Sequence, residues 1–225
     1  MLLGDFKSVR KNEELRTYIM LIVGATALIT LNIHSMFPSM IKAFRYAIFQ
    51  VVTVITTTGY ATTDFNTWPE ISRTILVLLM FIGACAGSTG GGIKVSRILI
   101  LCKTVRKELH IFLHPNAVKK IKMDGKAIPH EVVRSTNIFF IVYMLIFASS
   151  IFLIAFDDFN LITNFTAVAA TFNNIGPGLE LVGPTGNFGM FSWFSKLILT
   201  FDMLAGRLEI FPLLILFVRD TWKKF

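Results

Sequence analysis

The stretches AFRYAIFQVVTVITTTGY (residues 43–60) and NLITNFTAVAATFNNIGPG (residues 160–178) are both apolar, short and closed by a glycine-containing turn. Each holds fewer apolar residues than the roughly 20 that a helix needs to cross a bilayer. Each continues into Gly59 or Gly176 instead of a basic loop. A short apolar helix followed by such a turn is typical of a re-entrant segment, which enters the membrane and returns to the side it came from.

Longer apolar segments flank both stretches. Thr17–Met36 precedes the first stretch and Ile71–Gly83 follows it, while Asn137–Phe156 and Met190–Val218 enclose the second. Both halves therefore predict the order span, short pore helix, turn, outer loop, span. An internal repeat of this kind decides the fold. The predicted class is an all-α membrane protein with two tandem span–pore-helix–span repeats and re-entrant pore loops.

Composition favours a membrane protein over the soluble classes. The 225 residues are 54% hydrophobic and 16% charged, with 22 Phe and a mean hydropathy of +0.65, whereas soluble domains are about 45–50% apolar and about 25% charged. Paired carboxylates, HExxH, CxxC and nucleophile-elbow motifs are missing from the sequence, so no enzymatic activity and no covalent cofactor are expected. Cys85 and Cys102 supply neither a disulfide framework nor a metal quartet.

Basic residues cluster between the apolar segments and account for the net charge of +8. Because basic clusters mark the cytoplasmic side of a membrane, both termini and the stretch around residues 111–130 are predicted to be cytoplasmic. The basic run from Lys103 to Lys126 fits either anionic lipid headgroups or a cytosolic partner. A nucleic-acid partner is not expected, because no aromatic residues are interleaved with the basic ones.

The turns that follow the two short helices are candidate cation ligands. A glycine with positive φ allows successive carbonyl oxygens to face one direction, and such carbonyls replace the water shell of a monovalent cation. The negative end of each short helix dipole would favour the same cation. The alternative interpretation is a tight turn with glycine at its left-handed position. The candidate filter residues are Thr57, Thr58, Gly59, Tyr60, Asn174, Ile175, Gly176 and Pro177.

Two further features interrupt long apolar segments. The run Gly87–Gly92, GSTGGG, is predicted to break its helix, since each glycine costs about 1 kcal/mol in a helix interior. Arg207 stands in the middle of the last segment, where insertion of an arginine costs about 2.5–3.5 kcal/mol. Its side chain is expected to face a water-filled path or a carboxylate, with Asp202 and Glu209 nearest in sequence. The structural alternatives are a packed kink for the glycines and an interhelical ion pair for the arginine.

The sequence resembles the Trk/Ktr/HKT superfamily of potassium transporters and is most similar to the bacterial Trk/Ktr membrane subunits. The motifs that carry the resemblance are TTTGY at 56–60, GSTGGGIK at 87–94, NIGP at 174–177 and GRLE at 206–209. Subunits of this family hold four span–pore-helix–span repeats around one pore, and this chain matches the third and fourth. Two filter segments do not close a four-sided filter, so an N-terminal half or a second copy would complete the pore.

The resemblance divides the chain into four parts. They are a cytoplasmic segment at 1–16, a third-type repeat at 17–110, a cytoplasmic linker at 111–130 and a fourth-type repeat at 131–225. The first repeat is expected to contain a span at 17–36, a pore helix at 43–57, a filter at 57–60 and a broken span at 71–110. The second is expected to contain a span at 131–156, a pore helix at 160–172, a filter at 174–178 and a span at 190–223.

The resemblance implies potassium uptake across the inner membrane by a multi-pass subunit, either channel-like or coupled to sodium or protons. Potassium would be the substrate, bound by Thr57, Thr58, Gly59, Asn174, Ile175 and Gly176. An intramembrane gating loop would consist of Gly87, Ser88, Thr89, Gly90, Gly91 and Gly92, with Arg207 beside it. The implied partners are the lipid bilayer, a second subunit in a homodimer and a cytosolic nucleotide-binding regulatory subunit. A sodium-permeable or sodium-coupled member, or a truncated non-transporting subunit, is the alternative.

Overall fold

The computed structural model describes residues 11–117, 120–208, 210–215 and 222. The described chain is mostly helical, as predicted. The helices are α1 (Glu13–Ile33), α2 (Met40–Ile55), α3 (Glu70–Phe81), α4 (Val95–Leu113), α5 (His130–Ile154), α6 (Leu161–Phe172), α7 (Trp193–Leu208) and α8 (Ile210–Ile215). Strands β1 (Lys122–Met123) and β2 (Lys126–Ala127) form a small antiparallel sheet. Single 3-10 turns lie at His34–Met36, Phe65–Thr67, Ala155–Asp157 and Glu180–Val182.

The helices pack as two groups that meet at two helix–helix contacts. In the first group α1, α2 and α3 pack against one another, and in the second α6 and α7 pack together and α5 packs against both. The groups are joined where α3 contacts α6 and where α4 contacts α5. The short helices α2 and α6 therefore each pack against the other helices of their own group.

Aromatic rings fill the interior of the second group. Tyr143 of α5 stacks on Phe172, the last residue of α6, with ring centroids 4.7 Å apart. Phe147 meets Phe165 at 5.3 Å and Phe81 of α3 at 5.2 Å, both edge to face. Ring pairs of this geometry contribute about 0.5–1.5 kcal/mol beyond their buried area. The Phe81 contact ties the two helix groups together just before the chain leaves α3.

Two described helical stretches, Glu13–Met36 and His130–Asp157, are long and apolar enough to cross a membrane, and Leu161–Phe172 is apolar but shorter. Large apolar side chains face outward on several helices: Leu31 is 60% exposed and Phe152 is 69% exposed. A soluble monomer rarely exposes so extensive an apolar surface. This surface is the kind that lipid tails cover.

Polar caps place several helix starts away from the predicted positions. α2 begins at Met40, before the predicted residue 43, because the Ser39 hydroxyl accepts a hydrogen bond from the Lys42 N–H at 3.3 Å. α7 begins at Trp193, after the predicted residue 190, because the Ser192 hydroxyl accepts from the Ser195 N–H at 3.2 Å. These side chains satisfy backbone donors that the first helical turn leaves open.

The stretch 111–130, predicted as a linker, contains a short hairpin that the predicted all-α class did not include. Its turn residues Asp124 and Gly125 both have positive φ, +52° and +79°, which is typical of a type I′ Asp-Gly turn. The Asp124 carboxylate accepts from the Glu13 N–H at 2.7 Å. Lys103 pairs with the Glu13 carboxylate and donates to the Lys122 carbonyl at 2.7 Å. The linker is thus fastened to the start of α1 and to α4.

A polar bridge connects the loops at the opposite end of the molecule. The Asn66 side chain accepts from the Glu180 N–H at 2.9 Å and donates to the Glu180 carbonyl at 3.0 Å. Arg73 of α3 pairs with the carboxylates of both Glu70 and Glu180. The loop after α2 and the loop after α6 are therefore held against each other.

Some predicted segments fall outside the described residues. These are residues 1–10 of the predicted N-terminal segment, 118–119 of the predicted linker, and 209, 216–221 and 223–225 in and after the last predicted span.

Candidate functional site

The end of α2 turns sharply into the first predicted filter segment. Thr57 has a φ of +55° and Gly59 has a φ of +81°. The N–H groups of Thr58 and Gly59 both donate to the Thr53 carbonyl, at 2.9 and 3.4 Å. The left-handed turn therefore starts at a threonine, two residues before the glycine that the sequence indicated as the end of the helix.

The end of α6 has the same backbone geometry. Asn174 has a φ of +54° and Gly176 has a φ of +113°. The N–H groups of Ile175 and Gly176 both donate to the Ala170 carbonyl, at 2.8 and 3.5 Å. A left-handed conformation is uncommon in non-glycine residues, although asparagine adopts it more readily than most. Two segments with no sequence in common except the glycine thus share one unusual backbone path.

The two segments lie side by side. A Cβ added to Gly59 would overlap the Ile175 carbonyl oxygen and would stand 3.2 Å from its carbon and 3.6 Å from the Pro177 ring. A Cβ added to Gly176 would lie 3.9 Å from the Gly59 Cα. Glycine is required at residue 59 for two reasons, its φ and this close approach.

A cavity of about 590 Å³ opens along the paired segments. Its lining from the segments is Thr57, Thr58, Asn174, Ile175 and Gly176, and its lining from α7 is Lys196, Leu199, Thr200 and Met203. Tyr60 points elsewhere: its side chain is 72% exposed and borders a separate groove next to Arg45 and Val52 of α2. Five of the predicted filter residues therefore share one cavity, while the Tyr60 ring lies outside it.

The helix break predicted at the glycines is present and forms a loop at 82–94 between α3 and α4. The two ends of the loop are hydrogen-bonded together, with the Gly83 N–H donating to the Ile93 carbonyl at 2.8 Å. Inside the loop, the Lys94 ammonium donates to the Ser88 carbonyl at 3.1 Å, to the Ser88 hydroxyl at 3.3 Å and to the Gly90 carbonyl. The buried Lys94 ammonium therefore holds the loop together through hydrogen bonds to the loop's own oxygen atoms.

The loop reaches both filter segments. The Gly91 N–H donates to the Thr57 hydroxyl at 3.3 Å. A Cβ at Gly91 would overlap the Asn173 carbonyl oxygen and stand 3.1 Å from the Asn174 Cβ. The predicted gate residues and the predicted filter residues are thus in direct contact, although about 35 and 85 residues separate them in the chain.

Arg207 of α7 extends to the same loop. Its guanidinium donates to the Thr89 carbonyl, and it lines a small cavity of about 70 Å³ together with Ser88, Gly90 and Tyr143. Asp202, which the sequence offered as a partner, instead accepts a hydrogen bond from the Ser150 hydroxyl at 2.7 Å. The side chain of Glu209 lies outside the described residues. In the described part of the chain, the arginine binds a backbone carbonyl of the broken helix.

Gly206 allows α7 to approach the second segment closely. A Cβ there would overlap the Phe172 carbonyl oxygen and stand 2.7 Å from the Asn174 amide nitrogen. The Asn174 amide in turn donates to the Met203 carbonyl at 3.1 Å. The end of α6 is therefore fixed against the part of α7 that carries Arg207.

Two supporting residues were not identified from the sequence. Asn173 is buried; its side chain accepts from the Tyr143 hydroxyl at 2.8 Å and donates to the Ala169 carbonyl at 2.9 Å. The Glu14 carboxylate accepts from the Ala86 and Ser96 N–H groups, at 2.7 and 3.0 Å, and so caps α4 and holds the loop. The Asn-Asn pair that follows α6 was the sequence signal that could have identified Asn173. Nothing in the sequence links residue 14 to a loop 72 residues away.

The site offers oxygen ligands and no cluster for a transition metal. Among the described residues, His, Cys, Asp and Glu side chains do not gather in groups of three that could hold a metal ion. The residues that line the cavity instead offer backbone carbonyls and threonine hydroxyls. These oxygen atoms are hard ligands suited to weakly hydrated monovalent cations.

Comparison with known proteins identifies one family along almost the whole chain. Residues 16–224 match the family model TrkH, described as a cation transport protein. The chain is 39% identical over 219 residues to the Trk system potassium uptake protein TrkH of Salmonella typhimurium. The match covers 95% of this chain and 44% of that protein. It is 42% identical over 194 residues to the protein of the same name from Escherichia coli K12, covering 85% of this chain and 39% of that one.

A solved structure is similar along almost the entire chain. The crystal structure of the potassium transporter TrkH from Vibrio parahaemolyticus matches with a TM-score of 0.84 at 40% identity, over 95% of this chain and 46% of that chain. The chain spans less than half the length of the relatives it matches.

Proposed function

Because the chain belongs to the TrkH family of cation transport proteins, we propose that it takes part in potassium uptake through a pore that the segments 57–60 and 174–178 help to line. The observation that carries the proposal is the pairing of these segments. They follow two short helices, share left-handed residues at equivalent places and touch at Gly59 and Ile175. Two such segments in contact would form half of a four-sided filter lined by carbonyl oxygens.

The proposed ligands are the backbone carbonyls of Thr57, Thr58, Gly59, Asn174, Ile175 and Gly176. Carbonyl oxygens bind a dehydrated monovalent cation without any bond being made or broken, so the proposed function is transport and not catalysis. The C-terminal ends of α2 and α6 carry partial negative charge that would add to the attraction. Threonine hydroxyls at the same level supply further oxygen ligands.

The proposed architecture is half of a four-sided pore. The chain spans 44% of the Salmonella relative, and it provides two paired segments of the kind described above. In this proposal it corresponds to the third and fourth repeats, each a span, a re-entrant pore helix and a span, within the inner membrane. An upstream half or a second copy supplies the remaining filter segments.

The loop at 82–94 and Arg207 form the proposed gate. The loop contacts Thr57 and Asn173, directly behind the filter segments, and it is held by the Arg207 guanidinium through the Thr89 carbonyl. Irregular backbone at this depth is tolerated where it lines a cavity. Movement of a loop can open or close the path without repacking the helices. A cytosolic nucleotide-binding regulatory subunit and a homodimeric arrangement complete the proposal.

Ion uptake by living cells tests the proposal. The gene is expressed from its own locus in cells that lack their other potassium uptake systems, and uptake of rubidium, potassium and sodium is measured. We expect potassium and rubidium to enter and sodium to compete poorly. Uptake of sodium at a similar rate would favour the sodium-permeable alternative, and absence of any cation uptake by an abundant protein would favour a non-transporting subunit.

A further inference from the structure

A second cavity, of about 570 Å³, lies outside the candidate ion path. It is enclosed by three elements: the C-terminal half of α4, the hairpin region and the first turns of α5. The residues that matter for its chemistry are Lys107, Glu108, Lys120, Ile128, His130 and Arg134.

The charge of this cavity is mainly positive. Lys107, Lys120 and Arg134 are permanent cations, and Glu108 is the carboxylate among the lining residues. Glu108 stands 3.4 Å from Lys107, and both side chains retain solvent contact, so the pair is weak. Within the described ranges, Lys120 and Arg134 have no carboxylate partner. Three cations converge from separate parts of the chain while one carboxylate offsets them.

The cavity also has an apolar wall and a defined position along α5. Ile121, Ile128 and Val133 line it beside the cations. Arg134 precedes Asn137, where the charge-free run of α5 begins, by three residues or about 4.5 Å of helix. In the proposed topology α5 crosses the membrane, which puts this level at the cytoplasmic headgroups, and the inference rests on that topology. A phosphate held by the cations would have apolar surface next to it.

We propose that this cavity binds the phosphate of an anionic phospholipid headgroup from the cytoplasmic leaflet. Arg134 offers the planar donor geometry suited to phosphate oxygens, and Lys107 of α4 and Lys120 before the hairpin add charge. The apolar wall covers the glycerol end of the lipid. The site fastens α4 and the hairpin to the membrane surface. It goes beyond the proposed transport function and does not depend on the ion path.

Lipid binding to the purified chain tests this site without any transport measurement. The chain in a neutral detergent is titrated with phosphatidylglycerol, phosphatidylcholine or inorganic phosphate, and the complexes are counted by native mass spectrometry. The test variant combines Lys107→Gln, Lys120→Gln and Arg134→Gln. The matched control combines Lys11→Gln, Arg16→Gln and Lys126→Gln, which removes the same charge from exposed residues outside the cavity.

We expect the chain to bind phosphatidylglycerol and the test variant to bind it about a hundredfold more weakly, since each basic residue near a membrane surface strengthens binding about fivefold and three such factors multiply to roughly a hundred. Arg134→Gln alone, which is less disruptive to folding, should weaken binding about fivefold. Equal losses in the test and control variants would overturn the proposal, because net charge alone would explain them. Equally tight binding of phosphatidylcholine, or of inorganic phosphate, would also overturn the assignment to an anionic lipid.

Discussion

Replacement of Gly59 by alanine tests the filter assignment with a magnitude that follows from the geometry. At a φ of +81° an alanine costs about 1–2 kcal/mol in backbone strain. The new methyl group would also overlap the Ile175 carbonyl oxygen, which must then retreat by about 1 Å to reach a normal carbon–oxygen contact. If that oxygen binds the cation, losing an interaction with a charged group costs about 1.5–3 kcal/mol. Cation binding should therefore weaken about 10- to 100-fold.

Rubidium uptake by cells is the assay, and Gly125→Ala is the matched control. Gly125 has nearly the same φ, +79°, but nothing lies within 4 Å of its added Cβ. The control therefore carries the backbone strain without the collision. We expect uptake to fall at least tenfold in Gly59→Ala and to stay at the parental level in Gly125→Ala. Parental uptake and parental selectivity in an abundant Gly59→Ala protein would refute the reasoning.

Three further substitutions test the supports of the site. Arg207→Gln removes a positive charge and the contact with the loop at 82–94, so rubidium uptake should rise severalfold; an unchanged rate would contradict a gating role. Tyr143→Phe leaves the buried Asn173 side-chain oxygen without its donor and should lower the free energy of unfolding by about 1–3 kcal/mol, measured by thermal unfolding in detergent; an unchanged midpoint would argue against this bond. Glu14→Ala removes the cap of α4, costing about 1 kcal/mol, and should speed hydrogen exchange in residues 82–94, whereas parental exchange would show that the carboxylate does not hold the loop.

Periodicity and composition predicted the helices because those features act locally. The short length of the apolar stretches before Gly59 and Gly176 indicated short helices, and both are present. The glycine run predicted the break between α3 and α4, since several glycines in succession cannot sustain a helix against their conformational entropy. The hairpin was missed because two residues per strand leave no periodic signal, although Asp124-Gly125 was a turn signal.

The tertiary contacts of the site could not be predicted in the same way. The left-handed turns begin at Thr57 and Asn174 and not at the glycines, because each helix end is closed by two N–H groups that donate to one carbonyl five and six residues back. Arg207 was expected to face a water-filled path or a carboxylate; it lines a small cavity and also binds the Thr89 carbonyl, which the break in the helix leaves free. A freed backbone carbonyl is an acceptor that residue identity does not reveal.

The central claim is that the segments after α2 and α6 bind the transported cation through their carbonyl oxygens. Crystals of the assembled protein grown in rubidium, with anomalous data collected at the rubidium absorption edge, measure this most directly. The account predicts an anomalous peak next to the carbonyls of Thr58 and Ile175, and its loss in sodium alone. Strong rubidium peaks elsewhere in the protein, with none beside these two segments, would contradict it.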